Sequence, residues 1–216
     1  MFSEFQSNNH CSHPSSLQGS TRPRICRTFV PLYAMIWAFF AFAVFSGTAQ
    51  ALELGAVTLP DTLSIEGQHL ILNGAEYRKK YMLKIYACAL YLTTKQTDPK
   101  SIISADEPMA ARLHFVFKVP RQTMIEMMDM GFNNSTNGNI APIKQNIDAL
   151  YAQLPEIFQK GDIVDLVYVK GRGIVCQING KYKGESTGLD FKKAVFGIWL
   201  GDKPIQEDLK KGMLGK

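Results

Sequence analysis

From residue 57 onward, the chain contains several short apolar runs of the length that is typical of β-strands. Residues 57–59 form one such run, and residues 69–72 form a second that ends at Asn73-Gly74. Asn-Gly between apolar runs is a strong turn signal, so we predict a hairpin at this point. Residues 81–92 are apolar at both alternating positions, as expected of a central strand that is covered on both faces.

A fourth strand is predicted over residues 110–118, where apolar and polar positions alternate. We expect one face of this strand to pack into the core and the other face to be more exposed to solvent. The predicted core face comprises Ala111, Leu113, Phe115 and Phe117, and the opposite face Arg112, His114 and Val116.

Apolar positions at helical spacing follow these strands. Residues 99–103 predict a short helix, residues 122–130 a methionine-rich one, and residues 142–159 a longer amphipathic one. Residues 189–200 predict a further helix that Gly201 ends.

The remaining elements are three strands and a last helix. Three segments have the pattern of strands: residues 163–169, 173–178 and 181–183. Glycine-containing turns join them, which predicts a meander. Asp202 is predicted to cap a helix that begins near Pro204. Strands therefore occur in runs with helices between and after them. This order favours an α+β fold with an antiparallel sheet over a doubly wound α/β fold.

The first fifty residues follow a different pattern. A long polar stretch precedes an apolar run over residues 29–45, and Ala49-Gln50-Ala51 fits the cleavage pattern of a secretory signal peptide. We predict a leader over residues 1–51, cleavage after Ala51, and a mature domain over residues 52–216 in the periplasm or otherwise exported. An uncleaved anchor is the alternative, although the run is short for a bilayer core about 30 Å thick. No membrane span is then expected in the mature protein.

Charge argues against a nucleic-acid partner. The chain has 24 basic and 19 acidic side chains, a net charge of +5. After residue 51 the two signs are interleaved, whereas a nucleic-acid surface usually shows a clustered basic face.

No strong catalytic or cofactor motif occurs in the sequence, which has no G-x-S-x-G, H-E-x-x-H or C-x-x-C. We expect neither a metal nor a cofactor. The cluster His10-Cys11-Ser12-His13 would leave with the leader. His114 is either a solvent-facing side chain or a general base. Cys88 and Cys176 either form a disulfide or remain buried thiols.

Two segments carry a resemblance to a known family. They are LNGAEYRKKYMLKIYACALYL, residues 72–92, and GLDFKKAVFGIWLGDKP, residues 188–204. Over residues 55–214 the chain resembles the chalcone isomerase family, specifically its bacterial exported chalcone isomerase-like branch. The resemblance implies an open-faced β-sandwich, in which a large antiparallel sheet carries helices on one side and a ligand cleft lies between. The plant enzymes cyclise chalcones without a cofactor, by preorganised charge and hydrogen bonding.

The resemblance also implies site residues. Arg78 stands at the family's catalytic arginine, and Tyr86 stands where the plant enzymes have a threonine. Both are candidates for catalysis and for ligand binding, and Thr187 is a candidate for ligand binding. The alternatives are a solvated charge for Arg78 and an ordinary core aromatic for Tyr86.

Three functions fit these features. The first is binding of a fatty acid or similar small amphiphilic carboxylate near Arg78. The second is a cofactor-independent isomerase, an intramolecular lyase that acts on an aromatic or other enone with Arg78 and Tyr86. The third is an assembly protein whose cleft no longer binds a ligand.

Overall fold

A curled antiparallel sheet organises residues 51–216, the part of the chain that the computed structural model describes. The predicted leader, up to Gln50, and the cluster His10-Cys11-Ser12-His13 lie outside the described residues. The strands are β1 (Ala51–Leu54), β2 (Val57–Pro60), β3 (Thr62–Ile65), β4 (Gln68–Lys80), β5 (Leu83–Leu92), β6 (Met109–Phe115), β7 (Val119–Pro120), β8 (Ile157–Phe158), β9 (Ile163–Val169), β10 (Gly173–Ile178) and β11 (Lys181–Ser186).

Seven of these strands form the main sheet, in the order β11-β10-β9-β6-β5-β4-β3, and all neighbours are antiparallel. β1 and β2 form a separate hairpin, as β7 and β8 form a separate pair. The helices are α1 (Pro99–Ser104), α2 (Arg121–Ser135), α3 (Lys144–Ala152), α4 (Leu189–Leu200) and α5 (Glu207–Met213), with a 3₁₀ turn at Ala141–Ile143.

The helices pack on one face of the sheet. On β5, Tyr86, Cys88 and Leu90 enter a hydrophobic cluster that also contains residues from all five helices. The intervening residues Ala87 and Ala89 enter a second cluster on the opposite face. Both faces of β5 are therefore covered, as its continuous apolar sequence predicted.

The β1–β2 hairpin covers this second face. Val57 and Leu59 pack into its cluster, and the Tyr91 hydroxyl donates to the Pro60 carbonyl at 2.9 Å. The two ends of the sheet also approach each other, because Arg172 Nη1 before β10 donates to Glu66 Oε2 of the β3–β4 turn at 2.8 Å. The sheet is thus strongly curled around the hairpin.

The hairpin predicted at Asn73-Gly74 is wrong. β4 continues to Lys80, and Asn73 lies in a bulge where the register with β5 shifts. Gly74 is needed for packing and not for a turn, since a Cβ there would lie 2.2 Å from the Gly212 carbonyl oxygen. The chain reverses at Tyr81-Met82 instead, and β5 begins at Leu83.

Other boundaries also differ from the prediction. The helix predicted over residues 122–130 spans Arg121–Ser135, and the strand predicted over residues 181–183 continues to Ser186. The helix predicted over residues 142–159 ends at Ala152, and β8 pairs with β7. The strand predicted over residues 110–118 ends at Phe115, so Phe117 is exposed rather than in the core. Asp202 does not cap α5, whose N-cap residue is Gln206.

Candidate functional site

Arg78 and Tyr86 are direct partners in the pairing of β4 with β5. Tyr77 enters the cluster beneath the β1–β2 hairpin, and successive strand residues point to opposite faces. Arg78 therefore lies on the helix side of the sheet, the same side as Tyr86. The structure thus brings together the two residues for which the resemblance implied a joint role.

The Tyr86 side chain is buried beneath α4. Its hydroxyl accepts a hydrogen bond from Trp199 Nε1 at 3.3 Å, and its ring packs 5.6 Å from that of Phe115. Its proton has no acceptor among residues 51–216. Burial, with a smaller contribution from Cys88, raises the pKa of Tyr86 well above its ordinary value. The hydrogen bond from Trp199 and, to a smaller extent, Arg78 offset only part of this. Tyr86 is therefore a neutral hydrogen-bond donor and not a base.

Gln206, in the connection between α4 and α5, covers the Arg78 guanidinium. Its Oε1 accepts from Arg78 Nη1 at 3.1 Å and from the Lys79 backbone N at 2.8 Å. Its Nε2 donates to the Tyr77 carbonyl at 3.1 Å. An amide oxygen is thus held against the cation, in a position that a carboxylate oxygen could also take.

Arg78 also has an unused donor. Its Nε is buried and has no hydrogen-bond partner among residues 51–216, while Nη1 donates to the Lys79 carbonyl as well as to Gln206. A buried donor without a partner costs about 1–3 kcal/mol, so a ligand acceptor at this atom would be favourable.

The cleft implied by the resemblance is closed at Tyr86, which is buried, whereas Arg78 is partly exposed. Four surface cavities, of about 760, 450, 410 and 420 Å³, lie elsewhere in the described part of the chain, and neither Arg78 nor Tyr86 lines them. Large side chains fill the space beneath α4 instead, among them Tyr86, Phe115 and Trp199. A ligand tail beside Tyr86 therefore requires the side chains or the segments that cover it to move.

Thr187 is not brought to this site. It is exposed and follows β11 at one edge of the sheet, and four strands separate β11 from β4. Its backbone carbonyl accepts from Asn146 Nδ2 at 3.0 Å.

His114 lies on the other side of the sheet from Arg78 and lines the cavity of about 410 Å³ together with Lys84 and Lys160. Burial, and to a smaller extent Arg112, lowers the pKa of His114. Its ring makes no hydrogen bond to a carboxylate within residues 51–216, so no partner orients it as a general base.

The two cysteines of the described region are free thiols. Cys88 and Cys176 are both buried and are not bonded to each other. Burial raises the pKa of both, in the case of Cys176 to about 12. A thiol that stays protonated is a poor nucleophile, so both act as small apolar core residues.

Trp199 and Gln206 are the site residues that the sequence did not reveal. Trp199 lies in the segment that resembles the family, but its indole N–H becomes relevant only because α4 lies over Tyr86. Gln206 carries no sequence signal, since its role depends on where the α4–α5 connection crosses β4.

Residues 51–216 hold no group of three or more His, Cys, Asp or Glu side chains that could bind a metal ion. In the same region, no helix has both the length and the apolar character needed to cross a membrane.

Comparison with known proteins places these features in a family. A model of the chalcone isomerase-like family matches residues 51–215. Among solved structures, the chain is similar to a fatty-acid-binding protein of Arabidopsis thaliana, with a TM-score of 0.61 and 14% identity, over 76% of this chain and 96% of that one. No curated protein matches the sequence. The structural likeness confirms the expected α+β fold, an antiparallel sheet with helices on one side. The chain belongs to the chalcone isomerase-like family.

Proposed function

We propose that this protein binds a fatty acid or a similar small amphiphilic carboxylate, with the carboxylate at Arg78 and the tail in the core beneath the helices. The observation that carries the proposal is the pairing of a cation with a neutral hydroxyl donor on adjacent strands. Arg78 and Tyr86 are direct neighbours, and the Tyr86 proton has no acceptor within residues 51–216.

The head group would replace the Gln206 side chain. Gln206 Oε1 now accepts from Arg78 Nη1 at 3.1 Å. A carboxylate oxygen is a stronger acceptor for a guanidinium than an amide oxygen is, because both partners are then charged. Its second oxygen can accept from the Tyr86 hydroxyl or from the unpaired Arg78 Nε.

The tail would lie between the sheet and α2 and α4. Met124 and Met128 of α2 are buried in this cluster, and Met127 packs against it. Methionine side chains are unbranched and flexible, so they can rearrange around a chain of variable length. Access requires displacement of the α4–α5 connection, residues 201–206, which carries Gln206.

Two further observations support a binding role. The fold resembles that of a solved protein described as a fatty-acid-binding protein. In addition, Tyr86 stays protonated because burial raises its pKa, which suits a donor to a carboxylate and not a base that removes a proton. At 14% identity the likeness concerns the fold, so the ligand itself is part of the proposal.

We place this function outside the cytoplasm, on the basis of the leader predicted over residues 1–51. Expression of the full chain in a bacterial host, followed by mass spectrometry of the recovered N-terminus, tests this part. A protein that begins at Leu52 in the periplasmic fraction supports it. A full-length protein in the membrane fraction would favour the uncleaved anchor.

The ligand is tested by mass spectrometry of small molecules extracted from the purified protein. Wild type is compared with Arg78→Ala and with Arg172→Ala, a control that removes an arginine from a surface ion-pair network. A carboxylate carried by wild type and by Arg172→Ala but not by Arg78→Ala supports the proposal. If none of the three carries an amphiphilic carboxylate, and none binds added fatty acid, the proposal is wrong.

The isomerase alternative uses the same two residues. It is tested by incubating the wild-type protein with a chalcone-type enone and following its absorbance. Conversion that Arg78→Ala and Tyr86→Phe both abolish would favour the isomerase over a binding protein.

A further inference from the structure

The turn between β4 and β5 presents two large apolar side chains to solvent. Tyr81 is 93% exposed and Met82 is 96% exposed, the highest values among the exposed large apolar residues of the described region. They form a two-residue turn, because Lys80 pairs with Leu83.

The backbone of this turn is unfavourable for the residues that occupy it. Tyr81 has φ +49° and Met82 has φ +67°, whereas turns of this kind are normally Asn-Gly or Asp-Gly. A left-handed conformation costs a residue with a side chain about 1–2 kcal/mol. Neither side chain is buried in compensation. The Lys80 ammonium lies 5.9 Å from the centre of the Tyr81 ring, but a cation–π contact at an exposed site is worth only about 0.5–1 kcal/mol and does not offset the cost of both turn positions.

Two more exposed apolar side chains lie at the same end of the sheet. Leu83 and Phe117 are each 45% exposed, and both line the cavity of about 410 Å³. The Phe117 backbone N donates to the Ile85 carbonyl at 3.2 Å, which holds Phe117 beside the start of β5. Tyr81 and Met82 thus protrude at the turn, while Leu83 and Phe117 line the adjoining cavity. We call these four residues the apolar tip.

Lysines surround the apolar tip. Lys80 and Lys84 flank the turn, Lys118 follows Phe117, and Lys160 lines the same cavity as Phe117. None of these four lysines forms an ion pair within residues 51–216, whereas the adjacent Lys79 pairs with Glu76 at 3.6 Å. Lys84 Nζ lies 4.2 Å from the centre of the Tyr77 ring, a contact that leaves its charge without a counter-ion. The lysine charge around the tip is thus not neutralised by a carboxylate of the described region.

We propose that the apolar tip docks on an anionic lipid bilayer. Exposed aromatic and aliphatic side chains insert at the boundary between head groups and acyl chains, and lysines attract the anionic head groups. The combination of protruding apolar side chains with unpaired lysines matches a charged bilayer surface. A protein partner would more commonly meet a flat apolar patch with a mixed polar rim.

The docking surface lies close to the site proposed for the ligand. Arg78 precedes Tyr81 by three positions on the same hairpin, about 10 Å at the rise of an antiparallel strand. Docking would therefore bring the Arg78 site to the surface from which an amphiphile is taken or to which it is delivered. This last step rests on the proposed function, whereas docking itself does not.

The test measures co-sedimentation with lipid vesicles. Residues 51–216 contain the whole sheet and both hydrophobic clusters, so this segment is used without the apolar run of residues 29–45. Vesicles contain phosphatidylglycerol and phosphatidylcholine in one series and phosphatidylcholine alone in the other.

The main variant is Tyr81→Asn/Met82→Gly, which removes both side chains and places preferred residues in the turn. We expect its affinity for anionic vesicles to fall at least about tenfold, since two inserted apolar side chains are lost. Its unfolding temperature should be equal to or higher than that of wild type, because backbone strain is relieved. A loss of binding cannot then be attributed to misfolding.

The matched control is Tyr182→Asn/Met130→Ala, which removes an exposed tyrosine and an exposed methionine elsewhere and should bind vesicles as wild type does. Lys80→Gln/Lys160→Gln should weaken binding to anionic vesicles about fivefold for each lysine. Wild type should bind vesicles of phosphatidylcholine alone only weakly.

Two results would overturn the docking proposal. One is that the wild-type protein does not bind anionic vesicles; if it then forms a dimer that the tip variant does not form, the tip is a contact between copies of the chain. The other is that the tip variant binds anionic vesicles as well as wild type does. Ligand extraction is measured on the same proteins, so failure of docking and failure of ligand binding are distinguished.

Discussion

The Asn73 side chain joins the bulge of β4 to the end of α5, since its Nδ2 donates to the Met213 carbonyl at 2.9 Å. Its Oδ1 accepts from the Gln96 backbone N at 2.8 Å, and the side chain is buried. One amide therefore fixes the C-terminal helix and the segment after β5 to the same point of the sheet. The close contact of Gly74 with Gly212 lies directly beside it.

Asn73→Ala should destabilise the protein by about 2–4 kcal/mol, because a buried carbonyl and a part-buried backbone N lose their partner. Urea unfolding followed by tryptophan fluorescence measures this change. Asn139→Ala is the control, since Asn139 is exposed. Equal midpoints for the two variants would show that the Asn73 hydrogen bonds contribute little.

Lys192 is a fully buried lysine that stabilises the end of α1. Its Nζ donates to the carbonyls of Ile102, Ile103 and Ala105 at 3.0, 2.8 and 2.7 Å. Lys192→Met keeps most of the apolar volume but leaves these three carbonyls without their donor. We expect a loss of about 2–4 kcal/mol in urea unfolding, and little change for the neighbouring Lys193→Met, whose side chain is part-exposed.

The stability of the wild type should also depend on pH through Lys192. Burial lowers the pKa of Lys192 from 10.5 to about 8, although Asp106 acts in the opposite direction. Between these values the unfolded chain binds more protons than the folded one, so stability should rise with pH from about 8 to 10.5. Unfolding in urea at several pH values tests this, and the rise should be smaller in Lys192→Met. Parallel curves would contradict the shift.

Tyr86→Phe isolates the hydroxyl group at the candidate site. It removes the donor proposed for the carboxylate and the acceptor of Trp199 Nε1, while the ring packing against Phe115 remains. We expect the affinity for a fluorescent fatty acid to fall about tenfold to 150-fold, which corresponds to the loss of one hydrogen bond to a charged group. Unchanged affinity would place the carboxylate away from Tyr86.

Gln206→Ala should raise the affinity for a carboxylate, because the amide oxygen that occupies the Arg78 guanidinium is removed. An increase of about threefold to tenfold corresponds to the loss of one competing hydrogen bond. The same titration with a fluorescent fatty acid measures it, and Gln159→Ala, an exposed glutamine, is the control. A decrease in affinity would mean that Gln206 contacts the ligand directly.

The sequence by itself determined the elements whose patterns are local. The bounds of β9, β10 and α4 agree with those predicted from the periodicity. The reason is that the apolar pattern of each of these segments is sufficient to define its buried positions. The burial of both faces of β5 was predicted in the same way, from its continuous apolar run. The α+β class followed from the order of strands and helices.

The tertiary structure decided the features that depend on residues distant in sequence. Asn73-Gly74 has the signature of a turn, but the approach of Gly212 makes this position a bulge inside a strand. The turn occurs instead at Tyr81-Met82, whose residues disfavour it locally. Only that hairpin register places Arg78 opposite Tyr86, and only the packing of α4 and its connection to α5 adds Trp199 and Gln206. Local propensities amount to about 1 kcal/mol per residue, so the packing of distant segments overrides them.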